Sequence, residues 1–181
     1  MKPHDPRKLD VERFATDAGH LQGDWPLGGM HRLVDACHSE ALPSPDDRVQ
    51  WTAAGERRRQ SPGESHAWLK LGLDTQVSLI CQRCLGPLAT PLQFERWFHF
   101  AGCEEQAAEL DAESEEDVLA STRSLDLRQL AEDELLLALP LVPRHGVCPQ
   151  PLLPAMNNSL DEDAAPPNPF AALAALKRDR H

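Results

Sequence analysis

The feature that most restricts the fold of this chain is a two-residue alternation in its middle. Ala67, Leu69, Leu71, Leu73, Thr75, Val77 and Leu79 occupy every second position, with Lys70, Asp74, Gln76 and Ser78 among the residues between them. Successive side chains of an extended strand point to opposite faces, so this spacing places one apolar face inward and one polar face outward. The run is long for one strand, and a bulge or bend near Gly72 or Asp74 is expected. After a tight connection from Cys81 to Pro87, a partner strand is expected from Leu88 to Phe100, with Leu88, Leu92, Phe94, Phe98 and Phe100 on one face. The short separation favours an antiparallel hairpin with Cys81-Gln82-Arg83-Cys84 at its tip, because a parallel return needs a longer crossover.

Weaker signals flank this hairpin. Val49, Trp51 and Ala53 alternate with polar residues, and Gly55 to Gly63 reads as a turn-rich break. Upstream, Asp10 can cap a short helix through about Ala18 that carries Val11 and Phe14 on one face. Gly23, Pro26, Gly28 and Gly29 then break the chain, and Met30 to Cys37 reads as a second short helix. Downstream, Leu127, Leu130, Ala131, Glu134 and Ala138 follow helical spacing, widened by Leu135 and Leu137, and Pro140 and Pro143 stop that helix. Near the end, Asn168 is a good cap, Pro169 suits the first helical position, and Phe170, Leu173 and Leu176 form one stripe. The expected class is α+β: a central antiparallel β-sheet or hairpin core, partly open and barrel-like, with a few short helices and a flexible acidic connector. The expected divisions are a helical N-terminal segment (1–44), a β-rich core (45–150), a flexible linker (151–167) and a C-terminal amphipathic helix (168–181). That last helix either docks on its own domain or is a partner-binding peptide, since a helix so short is not stable alone.

The net charge of −11 is concentrated in two places. Residues 104–117 hold eight acids and no base, and Asp161, Glu162 and Asp163 add three more. The remaining acids then match the 18 Lys and Arg residues. Runs of this kind read as solvated, self-repelling connectors, or as an arm that mimics nucleic acid or meets a basic protein. A broad basic footprint for phosphate is missing. No apolar run approaches the roughly 20 residues that span a bilayer, so no membrane association is expected. The first ten residues carry bases without an apolar stretch behind them, unlike a signal peptide. Five cysteines without an export signal favour reduced thiols or a metal over disulfides, and a cytoplasmic location.

The most specific short pattern is Cys81-Gln82-Arg83-Cys84. Two thiolates two residues apart on a turn can grip one metal ion, usually with a second pair from elsewhere. His145 and Cys148 supply a pair with matching spacing, so Cys81, Cys84, His145 and Cys148 are the candidate ligands of a structural zinc. The bland alternative is two idle thiols and an unrelated loop histidine. A thiol oxidoreductase using Cys81 and Cys84 is the enzymatic reading, and Leu85-Gly86-Pro87 argues against the helix that such a site needs. Cys37 and Cys103 read as small apolar fillers, and His99 as surface or rim. Arg57, Arg58 and Arg59 form the one compact basic patch, with Arg83 at the knuckle. Trp51 and Trp68 could add stacking surfaces there for a nucleic acid or another partner; a charged hairpin turn beside core tryptophans explains the same residues. Glu132 and Asp133 read as a solvated face, whereas Glu134 falls on the apolar stripe and either pairs with Arg128 or Arg144 or lines a site. Phosphate-cradling loops, nucleophile elbows and dinucleotide fingerprints are absent, so no small-molecule substrate is expected.

Three segments in order resemble one family. These are Cys81-Gln82-Arg83-Cys84-Leu85 after the long strand, Glu132-Asp133-Glu134-Leu135-Leu136-Leu137-Ala138-Leu139-Pro140 with Leu141-Val142-Pro143-Arg144-His145, and Pro167-Asn168-Pro169-Phe170-Ala171-Ala172-Leu173-Ala174-Ala175-Leu176-Lys177. Together they resemble the YceD family of large-ribosomal-RNA-subunit accumulation proteins over roughly residues 45–178. The resemblance implies a non-enzymatic factor in large-subunit RNA accumulation and assembly, in contact with large-subunit ribosomal RNA or ribosomal proteins, directly or indirectly. A zinc-stabilised protein-binding adaptor is the other reading. The family pattern marks Cys81, Arg83, Cys84, Asp133, Glu134, Pro140, Pro143, His145 and Cys148.

Overall fold

The alternating run becomes the central strand of a five-stranded sheet. The structure is a computed structural model that describes residues 3–61, 64–112, 114 and 117–149. Its elements in chain order are α1 (Val11–Thr16), β1 (His20–Pro26), a single 3-10 turn at Leu27–Gly29, α2 (His31–Asp35), β2 (Arg48–Ser61), β3 (Glu64–Ile80), β4 (Pro87–Ala101), α3 (Glu104–Asp111), β5 (Asp117–Ala120) and α4 (Leu127–Leu137). The strands lie in sequence order and the sheet stays open, so the α+β expectation holds. By contacts the chain divides into Met1–Val147 and Cys148–His181, and only Cys148 and Pro149 of the second unit are described. The linker at 151–167 and the terminal helix with Phe170, Leu173 and Leu176 lie outside the described residues.

Strands β2, β3 and β4 pair antiparallel, and β3 and β4 close the expected hairpin from Ala67↔Phe100 to Ile80↔Pro87. Both registers pass unbroken through Gly72 and Asp74, so the expected bulge is not there; the shift falls instead between Arg59 and Ser61. The face bearing Leu69, Leu71, Leu73, Phe98 and Phe100 is the core face. Full burial of one such side chain contributes about 1.5–3 kcal/mol. Helices α1 and α4 pack against this face. Asp10 caps α1 by accepting the Arg13 N–H at 3.1 Å, as its sequence position implied.

Three elements depart from the sequence reading. The segment expected to be a helical preface also supplies β1, antiparallel to β2 from His20↔Ala54 to Pro26↔Arg48. Trp25 on β1 stacks on Trp51 at 4.5 Å, and this buried aromatic pair outweighs the breaking tendency of Gly23 and Pro26 on what is an edge strand. Next, the turn-rich break at Gly55 is strand interior. A Cβ at Gly55 would stand 2.6–2.9 Å from Phe14, including its backbone carbonyl, so the glycine is there to let α1 lie directly on β2.

The acidic connector is the third departure. Glu104–Asp111 is a helix, α3, with Glu104 and Glu105 in its first turn, where the helix dipole favours negative charge. Ala107 and Leu110 pack against Ala101, Val118 and Ala120 in a second small core. That crossover returns the chain as β5, parallel to β4 (Phe98↔Asp117 to Ala101↔Ala120), so the sheet is mixed rather than antiparallel throughout. Among the described residues no helix is long and apolar enough to cross a membrane.

Candidate metal centre

The hairpin tip holds its two cysteines in a tightly bonded turn. Past the last pair of the ladder, the Cys81 N–H donates to the Gly86 carbonyl at 2.9 Å and the Leu85 N–H donates to the Cys81 carbonyl at 2.8 Å. Leu85 adopts a left-handed backbone with φ of 59°, a conformation disfavoured for a branched side chain. Buried His38, just after α2, fixes it. Its Nδ1 accepts the Glu40 N–H at 3.1 Å, so its Nε2 carries the proton and donates to the Leu85 carbonyl at 3.0 Å.

The second half of the cluster arrives from α4. Asp126 caps this helix by accepting the Arg128 and Gln129 N–H groups. Glu132 reaches across to α2, accepting the N–H of Arg32 at 2.7 Å and of Leu33 at 3.3 Å, while the Arg32 guanidinium pairs with both Glu132 and Asp133. Glu132 is therefore a fastener between helices rather than part of the solvated face expected, while Asp133 pairs with Arg32 and stays 44% exposed, as a solvated face implies. Beyond Pro140 the loop runs beside the knuckle, and the Gln82 N–H donates to the Pro143 carbonyl at 2.8 Å. The His145 N–H donates to Cys81 Sγ at 3.4 Å, and Cys84 Sγ lies 3.4 Å from His145 Nδ1.

Cys81, Cys84, His145 and Cys148 each offer one ligand atom, and these four atoms lie within 4.8 Å of one another. In a tetrahedral zinc site with Zn–S bonds of ~2.3 Å, neighbouring sulfurs stand about 3.8 Å apart. The donors are thus within about 1 Å of such an arrangement. Three sulfurs and an imidazole nitrogen also form a donor set that suits zinc and leaves no position for substrate. Cys148 follows His145 by only three residues, so the short loop between them sets its place.

Cys81 is fully buried, and burial opposes its ionisation. N–H donors from Cys84, His145 and Arg83 and the His145 side chain outweigh that opposition, and the thiol is lowered to about 5. The thiolate is the form that ligates metal.

The remaining candidates are dispersed. Trp51 is buried on the core face and cannot stack on a base. Arg57 is held by Glu12 and by Ser65. Arg58 lies on the opposite face, paired with Glu56 and sandwiched between Trp68 and Trp97 at 4.4 and 4.0 Å from the ring centroids. Trp68 also stacks on His99, with ring centroids 4.7 Å apart. His99 is almost fully buried rather than at the rim, and its Nε2 lies 2.7 Å from His66 Nδ1. Cys37 is a buried filler as expected, but Cys103 is exposed at the start of α3. Glu134 faces neither Arg128 nor Arg144: it lies 3.5 Å from Arg96, whose guanidinium also binds Asp117 at 2.6 Å. Burial pushes the Glu134 carboxyl up, against the pull of Arg96.

Sequence reading missed His38, Arg96, Trp97 and the helix-joining role of Glu132, because each acts through a partner distant in sequence. A broad polar groove on the open sheet face is lined by Gln22, Asp24, Gln50, Thr52, Asp74 and Gln93, far from the cysteines in register. Its acids are already met, Asp24 by Arg48 and Asp74 by Gln93, and no reactive group converges there.

The family model described as "Large ribosomal RNA subunit accumulation protein YceD" matches residues 69–177. That span takes in most of β3, the cysteine knuckle, α4 and the His145 loop. The chain belongs to the YceD family. A curated relative from Haemophilus influenzae (strain ATCC 51907 / DSM 11121 / KW20 / Rd), itself named large ribosomal RNA subunit accumulation protein YceD, is 36% identical over 113 residues. The match covers 61% of this chain and 65% of that relative, just under two thirds of the YceD protein's own length. No solved structure matches the chain significantly.

Proposed function

We propose that this chain promotes the accumulation of large-subunit ribosomal RNA, and with it assembly of the large ribosomal subunit, in the cytoplasm and without catalysing a reaction of its own. Membership of the YceD family is the observation that carries this reading. Its partners are large-subunit ribosomal RNA or ribosomal proteins. The working unit in this reading is the β-rich core, 45–150, braced by the N-terminal segment, 1–44. The linker at 151–167 and the tail at 168–181 act as a tether and a partner-binding peptide.

Cys81, Cys84, His145 and Cys148 would hold a zinc ion. Its contribution is structural, because four protein ligands leave no open position. The protein's own hydrogen bonds bring hairpin tip and loop together, and the shared ion would fix them there.

The decisive experiment deletes the gene and measures the ratio of large- to small-subunit ribosomal RNA and the sedimentation profile. The large-subunit share should fall and be restored by the wild-type chain; an unchanged ratio would sink the proposal. One observation favours a second reading: the lowered pKa of Cys81 is what a reactive thiol needs. Full burial of Cys81 opposes it. Disulfide reduction measured on insulin separates the two, and catalytic turnover there would favour the oxidoreductase.

A further inference from the structure

The surface around the cysteine knuckle differs from the rest of the chain in composition. Residues 80–87 and 138–147 contain no Asp, Glu or Lys. At the chain's average of 29 acids in 181 residues, a stretch of this length would hold about three acids. The two segments are well separated in the sequence, yet the Gln82–Pro143 and Cys81–His145 hydrogen bonds hold them side by side.

Two properties of this surface point to a partner. The first is apolar exposure. Of the seven large hydrophobic residues exposed among the described residues, five lie in these two segments, and Leu141, Val147 and Leu85 are 100%, 88% and 68% accessible. Aliphatic groups concentrated in this way on a surface mark a site that another molecule covers. The second is charge. Arg83 and Arg144 are exposed and their guanidinium groups, like those of Arg7, Arg59 and Arg123 elsewhere, meet no carboxylate among the described residues, so both knuckle arginines are available to a partner's acids.

Apolar groups and arginine, with lysine and acids depleted, compose the core of a protein–protein interface. A nucleic-acid surface would look different. Single strands are held by aromatic stacking platforms and by many cations, and these two segments contain no Phe, Trp or Tyr and only two arginines. We propose that the knuckle face, with Leu85, Leu141 and Val147 at its centre and Arg83 and Arg144 at its rim, docks a protein partner that presents an apolar surface flanked by carboxylates. This names the partner class for the functional reading above, and it rests on that reading for the setting in which the partner is met.

The test places a photoreactive benzoylphenylalanine at position 141 or 147 of the full chain and irradiates living cells. Both side chains are exposed, so folding is undisturbed; unchanged melting and metal content check this. The expected result is a discrete adduct that survives ribonuclease, whose crosslinked peptide carries Asp or Glu beside apolar residues. Like charges brought together at an interface cost several kcal/mol. R83E with R144E should therefore reduce the adduct by more than about tenfold, while R59E, on β2, leaves it unchanged. An adduct destroyed by ribonuclease would assign the face to RNA and overturn the proposal. Absence of any adduct, or a yield indifferent to the charge reversal, would overturn it too. The ribosomal RNA ratio in the deletion strain is read separately, so the failure of either proposal is visible without the other.

Discussion

His38 Nε2 donates its proton to the carbonyl of Leu85 across 3.0 Å, joining the end of α2 to the tip of the β3–β4 hairpin. The partner at Nδ1, the Glu40 N–H, leaves the ring only one tautomer able to make both bonds. Leu85 follows directly on Cys84, so this bond fixes the backbone that aims one of the four metal-ligating atoms. Supporting groups of this kind typically change metal affinity by about 10–100-fold when removed. H38A should weaken zinc binding by that order in a competition titration against a chromophoric chelator. H38Q, which can still donate to Leu85, should recover part of the loss. Equal affinity in all three proteins would show that the hairpin tip holds itself.

The cluster itself makes a stronger prediction. Purified protein should carry one equivalent of zinc by elemental analysis, and a chelator should lower its Tm. C81S and C148S should each abolish retention, and H145A should weaken it. The metal-free protein has its own pH signature. With Cys81 lowered from 9.0 to about 5, the folded state has lost this proton between those values while the unfolded state keeps it. Stability therefore rises with pH across that window and is lost as pH falls through about 5. Melting of metal-free protein from pH 5 to 9 should show this slope, and C81S should flatten it.

Gly55 offers a test of the fold rather than the site. Any side chain there meets the Phe14 backbone at under 3 Å, and neither β2 nor α1 can retreat without opening the core. Overpacking of this kind costs about 1–3 kcal/mol, so G55A should lower the denaturation midpoint accordingly. G28A, where nothing lies within 4 Å, should not.

Gly55 also shows where sequence reading stops. The hairpin was legible because period two along Ala67 to Leu79 has one physical solution, and the knuckle was legible because cysteine spacing limits which ligands can converge. The same glycine that ends a strand in one context admits a helix backbone in another, and only the contact with Phe14 distinguishes them. The acidic run misled for a related reason. Eight acids argue for a solvated connector, but Ala107 and Leu110 supply a narrow apolar stripe, and Glu104 and Glu105 suit the first turn of a helix. Arg57, Arg58 and Arg59 are adjacent in sequence, yet alternation on β2 sends Arg57 and Arg58 to opposite faces and dissolves the patch.

Glu134 is the one buried carboxylic acid among the described residues, and its environment predicts a pH dependence of opposite sign to that of Cys81. Burial raises its pKa above 4.5, with Arg96 as the opposing influence and the charges of Asp117 and Asp133 adding to the rise. The folded state thus keeps the proton to higher pH than the unfolded one, and stability falls as pH rises above about 4.5 through the folded value. E134Q removes that cost while Asp117 continues to neutralise Arg96 at 2.6 Å. It should raise the Tm at neutral pH, and the difference from wild type should vanish below about pH 4.5. R96M should do the reverse, since a buried carboxylate stripped of its cation typically costs about 3–5 kcal/mol; the half-exposed Arg96 and the 3.5 Å separation place this case at or below the lower end. If E134Q instead destabilised the protein at neutral pH, the Glu134–Arg96 attraction would outweigh desolvation and the assigned direction would be wrong.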